Sequence, residues 1–188
     1  MEIQQPDGFY HFSEDSLLLA QFVTLEPGEK VLDLGTGVGT IPLLLAERYP
    51  RCSFVGVEIQ AELASYAELN STLNNLGSRF KVLVGDYRQL FWEPQFSVVT
   101  ANPPYFKVGS GRPSPNPSRW HARFEVDATL AETISIAAKA LLDGGRFYLV
   151  HRFERLGEIK DLCAAVGLEL GVFQVIDCFR ILVKARKV

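Results

Sequence analysis

Short apolar runs alternate along the chain with longer segments in which apolar residues recur every three or four positions. The short runs have the length and composition of buried strands. They cover Lys30–Leu34, Ser53–Glu58, Phe80–Val84, Phe96–Ala101 and Arg146–Val150. The longer segments have helical spacing and cover Ser13–Val23, Gly39–Tyr49, Gln60–Asn74, Asp127–Leu142 and Glu154–Val166. This alternation predicts βαβ units and therefore an α/β protein with a doubly wound parallel sheet and helices on both faces.

The C-terminal part of the chain departs from this alternation. Two further apolar runs, Leu168–Val175 and Phe179–Ala185, are separated by only three residues. Because so short a connection cannot hold a crossover between parallel strands, it predicts an antiparallel hairpin. The expected architecture is Rossmann-like, with seven strands of which six are parallel and one is antiparallel. Three glycines lie where helix C-termini are expected, namely Gly77, Gly144 and Gly167.

Length and composition are those of one globular domain, residues 1–188. Apolar residues make up 47% and charged residues 22%, with a net charge of −3, so any contact with nucleic acid requires a local basic patch. Three cysteines without a C-x-x-C pair indicate buried free thiols and no structural metal site. No segment has the pattern of a secretion signal or a membrane span, so a cytoplasmic protein with no membrane partner is expected.

A glycine-rich turn follows the first predicted strand, in the run Asp33-Leu34-Gly35-Thr36-Gly37-Val38-Gly39. Glycines permit a tight turn and allow a ligand to approach the backbone. The spacing is G-x-G-x-G and differs from the G-x-G-x-x-G of pyrophosphate binders. Asp33 would repel a diphosphate but suits a cationic amino acid moiety. Glu58, 19 residues beyond Gly39, lies where an acid accepts hydrogen bonds from ribose hydroxyls, and Asp86 after the third strand could bind an adenine amino group.

The fourth strand ends in Ala101-Asn102-Pro103-Pro104-Tyr105-Phe106. The prolines stiffen the backbone, so the Asn102 side chain and the Pro103 carbonyl are held in a fixed relation as two acceptors. An exocyclic amine on an aromatic ring is a poor nucleophile because its lone pair is delocalised. Accepting both of its N–H bonds would orient that lone pair toward a methyl donor. Tyr105 or Phe106 would stack on the ring.

These motifs together resemble those of class I methyltransferases that use S-adenosylmethionine, and Asn-Pro-Pro-Tyr resembles the motif of enzymes that methylate amino nitrogens. The segment Phe12-Ser13-Glu14-Asp15-Ser16-Leu17-Leu18-Leu19-Ala20 narrows the likeness to the bacterial tRNA1(Val) adenine-N6 methyltransferase family, which modifies A37. The resemblance implies that S-adenosylmethionine binds to Ser13, Asp15, Asp33, Gly35, Thr36, Gly37, Glu58, Asp86 and Asn102. It also implies catalytic roles for Asn102, Pro103 and Tyr105, and an N-terminal segment, residues 1–29, that covers the core formed by residues 30–188.

A cluster of cations surrounds Trp120 after the catalytic motif. Aromatic residues among cations suit RNA, in accord with the tRNA partner that the resemblance implies. The expected substrate-binding residues are Tyr105, Phe106, Arg112, Arg119, His121 and Arg123. A second basic cluster, Lys184, Arg186 and Lys187, lies at the C-terminal end.

Three alternatives remain open from the sequence. A protein-glutamine or another nucleic-acid amino methyltransferase uses the same Asn-Pro-Pro-Tyr, although only 29 residues precede the first predicted strand here. A non-catalytic subunit that binds S-adenosylmethionine is the second alternative. A nicotinamide oxidoreductase is the third, and the G-x-G-x-G spacing disfavours it.

Overall fold

The computed structural model describes residues 1–6, 14–105 and 128–188. Its strands are β1 Lys30–Leu34, β2 Ser53–Glu58, β3 Phe80–Val84, β4 Phe96–Ala101, β5 Leu141–Arg152, β6 Leu168–Val175 and β7 Arg180–Lys187. They form one seven-stranded sheet in the order β3-β2-β1-β4-β5-β7-β6. Strand β7 is antiparallel to both β5 and β6, and the other neighbours are parallel, as predicted.

Helices cover both faces of this sheet. Within the described ranges they are α1 Glu14–Phe22, α2 Thr40–Arg48, α3 Ala61–Leu73, α4 Leu130–Ala140 and α5 Leu156–Ala165, the last preceded by a 3₁₀ turn at Phe153–Arg155. Residues of α1, α2 and α3 pack in one core cluster and residues of α4 and α5 pack in another. Along β5 the side chains alternate between the two clusters: Phe147 and Leu149 lie in one, Tyr148 and Val150 in the other. The central strands β1, β4 and β5 are therefore largely buried on both faces, which explains why they are continuous apolar runs.

Several predicted boundaries are wrong, and local chemistry explains them. Helix α4 begins at Leu130, not Asp127, because Thr129 and Glu132 form a capping box at its N-terminus. It ends at Ala140 because Leu141 already belongs to β5, so Gly144 lies within that strand and is not a helix cap. The left-handed residue after α3 is Asn75 rather than Gly77.

Two smaller expectations concern glycine and cysteine. Gly167 does follow the end of α5 in the left-handed conformation, as expected for a helix C-terminus. Cys52 and Cys163 are buried, but the prediction for Cys178 is wrong, because this residue is exposed in the turn between β6 and β7.

The register of the parallel strands places their carboxyl ends along one edge of the sheet. Leu34 at the end of β1 pairs with Val57 on one side and with Ala101 on the other, and Glu58 pairs with Val84. Ligands of open α/β sheets bind at this edge. Within the described ranges, no helix is long and apolar enough to cross a membrane.

Candidate active site

The glycine-rich turn between β1 and α2 is fastened to the end of β2. The amides of Gly35 and Thr36 both donate to the Val57 carbonyl, at 2.9 and 3.0 Å. Gly35 and Gly37 have φ angles of 70° and 58°, in the left-handed region that favours glycine. Among the described residues, no atom lies within 4 Å of where a Cβ would stand on either glycine. The turn therefore presents exposed backbone on its open side, as a close-fitting ligand requires.

Asp33 lies in a row of residues that the strand register defines. It pairs with Gly56 of β2 on one side and with Thr100 of β4 on the other. The Thr100 hydroxyl donates to Asp33 Oδ1 at 2.7 Å. A Cβ on Gly56 would stand 2.7 to 2.8 Å from side-chain atoms of Thr36, so the missing side chain of Gly56 makes room for Thr36 beside Asp33. Gly56 is a site residue that a signal in the sequence could have revealed, because glycine inside a strand indicates such a close approach.

Two buried polar atoms in this row point to a ligand. Asp33 is only 1% exposed, and within the described residues Asp33 Oδ2 and Thr36 Oγ1 have no partner of hydrogen-bond geometry. Burial raises the pKa of Asp33 to about 7. The hydrogen bond from Thr100 and, to a smaller extent, the nearby Thr36 hydroxyl lower it, and the charge of Glu58 raises it further. A buried carboxyl with an unpaired oxygen requires a donor, and an ammonium group is a donor of matching charge. These residues fit the amino acid moiety of S-adenosylmethionine.

Glu58 connects the turn to the start of α3. Its Oε2 accepts from the Gly37 amide at 2.8 Å and its Oε1 accepts from the Gln60 amide at 2.9 Å. The side chain is buried at the end of β2. Both oxygens are oriented by backbone donors, so the carboxylate is fixed at the place where ribose hydroxyls were expected.

Asp86 lies beyond the end of β3, and Arg88 binds it. The Arg88 guanidinium donates to both Asp86 oxygens, with Nη2 at 2.6 Å from Oδ2. These hydrogen bonds lower the pKa of Asp86, so the carboxylate is ionised at neutral pH. Arg88 also lies 3.6 Å from Glu132 of α4. An adenine amino group at Asp86 would therefore share this carboxylate with Arg88.

The Asn-Pro-Pro-Tyr motif lies directly against α1. Asn102 Nδ2 donates to Ser16 Oγ at 3.0 Å, and this hydrogen bond fixes which side of the amide presents the acceptor Oδ1. The Tyr105 hydroxyl lies 3.0 Å from Asn102 Oδ1 and donates to Asp15 Oδ2 at 2.8 Å. Asp15, expected at the cofactor, thus contacts the reaction motif, and Ser16 is a site residue that the sequence reasoning missed.

His151 packs against Tyr105 from β5. The two ring centroids are 5.2 Å apart with an angle of 53° between the planes. Its Nδ1 accepts from the Arg152 amide at 2.8 Å, and within the described residues its Nε2 has no partner. Burial lowers the pKa of His151 to about 3, with the charges of Arg155 and Arg152 acting in the same direction. His151 is a neutral support for the Tyr105 ring, in accord with a structural role.

Two asparagines of α3 fasten the first residues of the chain beside the glycine-rich turn. Asn74 exchanges hydrogen bonds with the backbone of Glu2, and Asn70 does the same with Gln4, at 2.6 to 2.9 Å. The Asn70 amide also donates to the Val38 carbonyl at 2.9 Å. The beginning of the N-terminal segment is therefore linked to the turn expected to bind the cofactor.

The remaining expected site residues lie outside the described ranges. These are Ser13, Phe106, Arg112, Arg119, His121 and Arg123. In the basic cluster at the end of the chain, Lys184 lies over the Tyr148 ring, at 5.6 Å, and Lys187 donates to the Leu141 carbonyl. Those two cations have partners within the fold, whereas Arg186 is exposed.

The chain is similar to known proteins in sequence and in fold. The family model described as "Methyltransferase small domain" matches residues 10–114. A Histophilus somni protein named tRNA1(Val) (adenine(37)-N6)-methyltransferase is 31% identical over 176 residues, covering 92% of this chain and 70% of the relative. A protein of the same name from Porphyromonas gingivalis is 29% identical over 176 residues, covering 89% of this chain and 68% of the relative. A predicted O-methyltransferase from Agrobacterium tumefaciens has the same fold, with a TM-score of 0.69, 22% identity, and coverage of 92% of this chain and 80% of that one.

Fold and site thus define a class I methyltransferase, the class that takes its methyl group from S-adenosylmethionine. More narrowly, the chain belongs to the methyltransferase small domain family. The expectations of the fold, of methyl transfer and of the cofactor are confirmed.

Proposed function

We propose that this methyltransferase modifies the exocyclic N6 amine of an adenine in tRNA, at an A37-type site. The names of its relatives support this substrate. The observation that carries the proposal is the hydrogen bond from Asn102 Nδ2 to Ser16 Oγ. This bond fixes the rotation of the amide and therefore the position of its acceptor, Oδ1. This acceptor lies at the carboxyl edge of the sheet, one residue beyond the end of β4.

The chemistry requires the protein to make a delocalised amine nucleophilic. Asn102 Oδ1 and the Pro103 carbonyl would accept the two N–H bonds, so that the nitrogen lone pair is directed away from the ring plane. Both acceptors also stabilise the positive charge that grows on nitrogen as the new N–C bond forms. The Tyr105 ring, supported by His151, would stack on the base, and the surplus proton on nitrogen leaves to water.

When bound, the cofactor would supply an electrophilic methyl group on a sulfonium sulfur, and this C–S bond would break as the N–C bond forms. In this chain Asp33 and Thr36 would hold the amino acid moiety, Glu58 the ribose and Asp86 the adenine. The open side of Gly35 and Gly37 would lie against the ligand. Ser13 would also contact the cofactor. The cations among residues 112–123 would bind the tRNA.

The proposal is tested by incubating the protein with radiolabelled S-adenosylmethionine and tRNA1(Val), followed by mass spectrometry of the nucleosides. We expect N6-methyladenosine, and no product on a transcript in which A37 is replaced by guanosine. Asn102→Ala should lower the rate by about 100-fold or more and weaken cofactor binding far less, because it removes one of two preorganised acceptors for the amine.

A matched control is Gln174→Ala, which removes an exposed amide on β6. Its rate should equal that of the intact protein. Label in protein and none in tRNA would refute the tRNA assignment and favour a glutamine side chain as the acceptor. Equal rates for Asn102→Ala and the intact protein would refute the role of Asn102.

A further inference from the structure

A continuous set of hydrogen bonds joins the last hairpin of the sheet to the Asn-Pro-Pro-Tyr motif. Arg180, the first residue of β7, donates to Asp15 Oδ1 at 2.6 Å. Asp15 Oδ2 accepts from the Tyr105 hydroxyl, which also lies near Asn102 Oδ1. Asp15 is 9% exposed, so its contacts with Arg180 and Tyr105 are shielded from water. We refer to Arg180, Asp15, Tyr105 and Asn102 as the relay.

Arg180 is fixed at its end of the relay by the turn between β6 and β7. Its guanidinium also donates to Glu14 at 2.9 Å and to Asp177 at 2.8 Å. Asp177 in turn accepts from the amides of Phe179 and Arg180, which fixes the turn from which the side chain extends. Hydrogen bonding to these carboxylates, Asp15 first, raises the pKa of Arg180 above its usual range. A guanidinium held by several carboxylates loses little additional freedom when it orients one of them.

The contacts within the relay determine which acceptor the Tyr105 hydroxyl donates to. A phenol has one O–H, and among the described residues two acceptors compete for it: the Asp15 carboxylate at 2.8 Å and the Asn102 carbonyl at 3.0 Å. Hydrogen bonds to an ionised acceptor are stronger than those to a neutral one, so the proton is drawn to Asp15. A Tyr105 proton directed at Asn102 Oδ1 would compete with the substrate amine for the acceptor on which the reaction depends.

We propose that Arg180 is a positioning residue, which holds Asp15 so that the Tyr105 proton is turned away from Asn102 Oδ1 and the target amine takes its place there. This inference rests on the proposed function, since it assigns Asn102 Oδ1 to the amine. It gives Asp15 a role in the reaction motif rather than at the cofactor alone. In this proposal Arg180 acts through Asp15 and Tyr105, and not by contact with substrate or cofactor.

The test is a double-mutant cycle measured as kcat for tRNA methylation. Arg180→Gln should lower kcat about tenfold, the effect of one misdirected hydrogen bond, with little change in KM for S-adenosylmethionine. In a Tyr105→Phe background, which keeps the ring and removes the hydroxyl, Arg180→Gln should change kcat less than twofold. Arg180→Lys should be intermediate, because a single ammonium cannot serve all three carboxylates.

The control is Arg51→Gln, which removes the same charge from an exposed position in the turn before β2, at the opposite edge of the sheet, and should leave kcat unchanged. Circular dichroism and thermal unfolding identify variants that fail to fold. A merely structural role for Arg180 predicts the same loss with and without the Tyr105 hydroxyl, and equal losses in the two backgrounds would overturn the proposal. No loss in Arg180→Gln would overturn it as well.

A readout without substrate separates this inference from the proposed function. The Asn102 side-chain amide gives NMR signals that are assigned by their loss in Asn102→Asp. These signals should shift in Arg180→Gln but not when Arg180→Gln is made in the Tyr105→Phe protein. If the intact protein methylates no tRNA and this shift pattern is still observed, the proposed function fails and the relay stands. If methylation occurs and the Asn102 signals do not respond to Arg180, the relay fails alone.

Discussion

Asp33 should couple binding of S-adenosylmethionine to the release of a proton. The carboxyl is 1% exposed and its pKa is raised to about 7 by burial, so at pH 6 most molecules carry the neutral acid. An ammonium group placed at the unpaired Oδ2 favours the carboxylate, because an opposite charge at hydrogen-bond distance stabilises the ionised form. Binding at acid pH must therefore expel the Asp33 proton.

The magnitude follows from the pKa of about 7. Below that pH the apparent affinity should fall about tenfold for each unit of pH, so it should be reduced about tenfold at pH 6 and about twofold at pH 7. Near pH 6 about 0.9 proton should be released for each cofactor bound. At higher pH the affinity should fall again, because the α-amino group of the free cofactor, with a pKa near 8, begins to lose its charge. Maximal affinity is expected between these limits.

The assay is isothermal titration calorimetry between pH 5.5 and 8, repeated at pH 6 in two buffers of different ionisation enthalpy. The dependence of the observed heat on the buffer gives the number of protons released. The Asp33→Asn protein should bind S-adenosylmethionine more weakly, and it should lose the acid limb of the pH profile, which is the fall in affinity at low pH. Asp143→Asn, which removes a highly exposed carboxylate on β5, should keep it. A flat profile from pH 5.5 to 7.5 in the intact protein, or an unchanged acid limb in Asp33→Asn, would refute the reasoning.

Two further predictions concern the packing around the site. Gly56→Ala should weaken cofactor binding about tenfold while the protein stays folded, because the new Cβ would stand 2.7 Å from Thr36 and push it out of the row beside Asp33; calorimetry checks this. Gly171→Ala on β6, where the nearest atom is 3.8 Å from the Cβ, should bind normally, and equal weakening in both would contradict the steric argument. His151, neutral in the fold with a pKa of about 3, has an ordinary pKa of 6.5 in the unfolded chain, so its contribution to stability is lost as the pH falls through this interval. Urea unfolding at pH 6.5 and 4.5 should show the intact protein losing about 2 to 3 kcal/mol relative to His151→Gln over that range, and parallel pH profiles would count against a buried neutral histidine.

The central strands were predictable because burial on both faces leaves a simple signal of continuous apolar residues. Four of the five parallel strands first inferred from apolar runs, those ending at Leu34, Glu58, Val84 and Ala101, have the predicted bounds. The fifth, β5, was predicted too short because its beginning contains Asp143, Gly144 and Gly145, which resemble a turn. That stretch joins the sheet through an irregular pairing with β4, and no periodicity in the sequence reveals it.

Candidate site residues that immediately follow strands were equally accessible to sequence reasoning. Glu58 and Asn102 lie at or just beyond strand ends, where parallel topology alone brings them to one edge. The protonation states and hydrogen-bond partners of the buried groups could not be predicted from the sequence. The unpaired oxygen of Asp33 and the neutral form of His151 depend on which side chains exclude water around them, and that is decided by packing between distant segments.

The antiparallel direction of β7 also determines which of its residues lies at the candidate site, and this was not predicted from the sequence. Parallel strands bring their carboxyl ends to the ligand edge, whereas an antiparallel strand brings its first residue there. In the observed register Arg180 at the start of β7 lies opposite Arg152 at the end of β5, next to His151. Arg180 therefore reaches Asp15, 165 residues away in sequence, only because the chain reverses after β6. A seventh strand that ran parallel would place its carboxyl end at this edge instead, and Arg180, as its first residue, would lie at the opposite edge of the sheet. The short turn that sets this fold apart from a plain dinucleotide-binding sheet is thus also what brings a cation to the reaction motif.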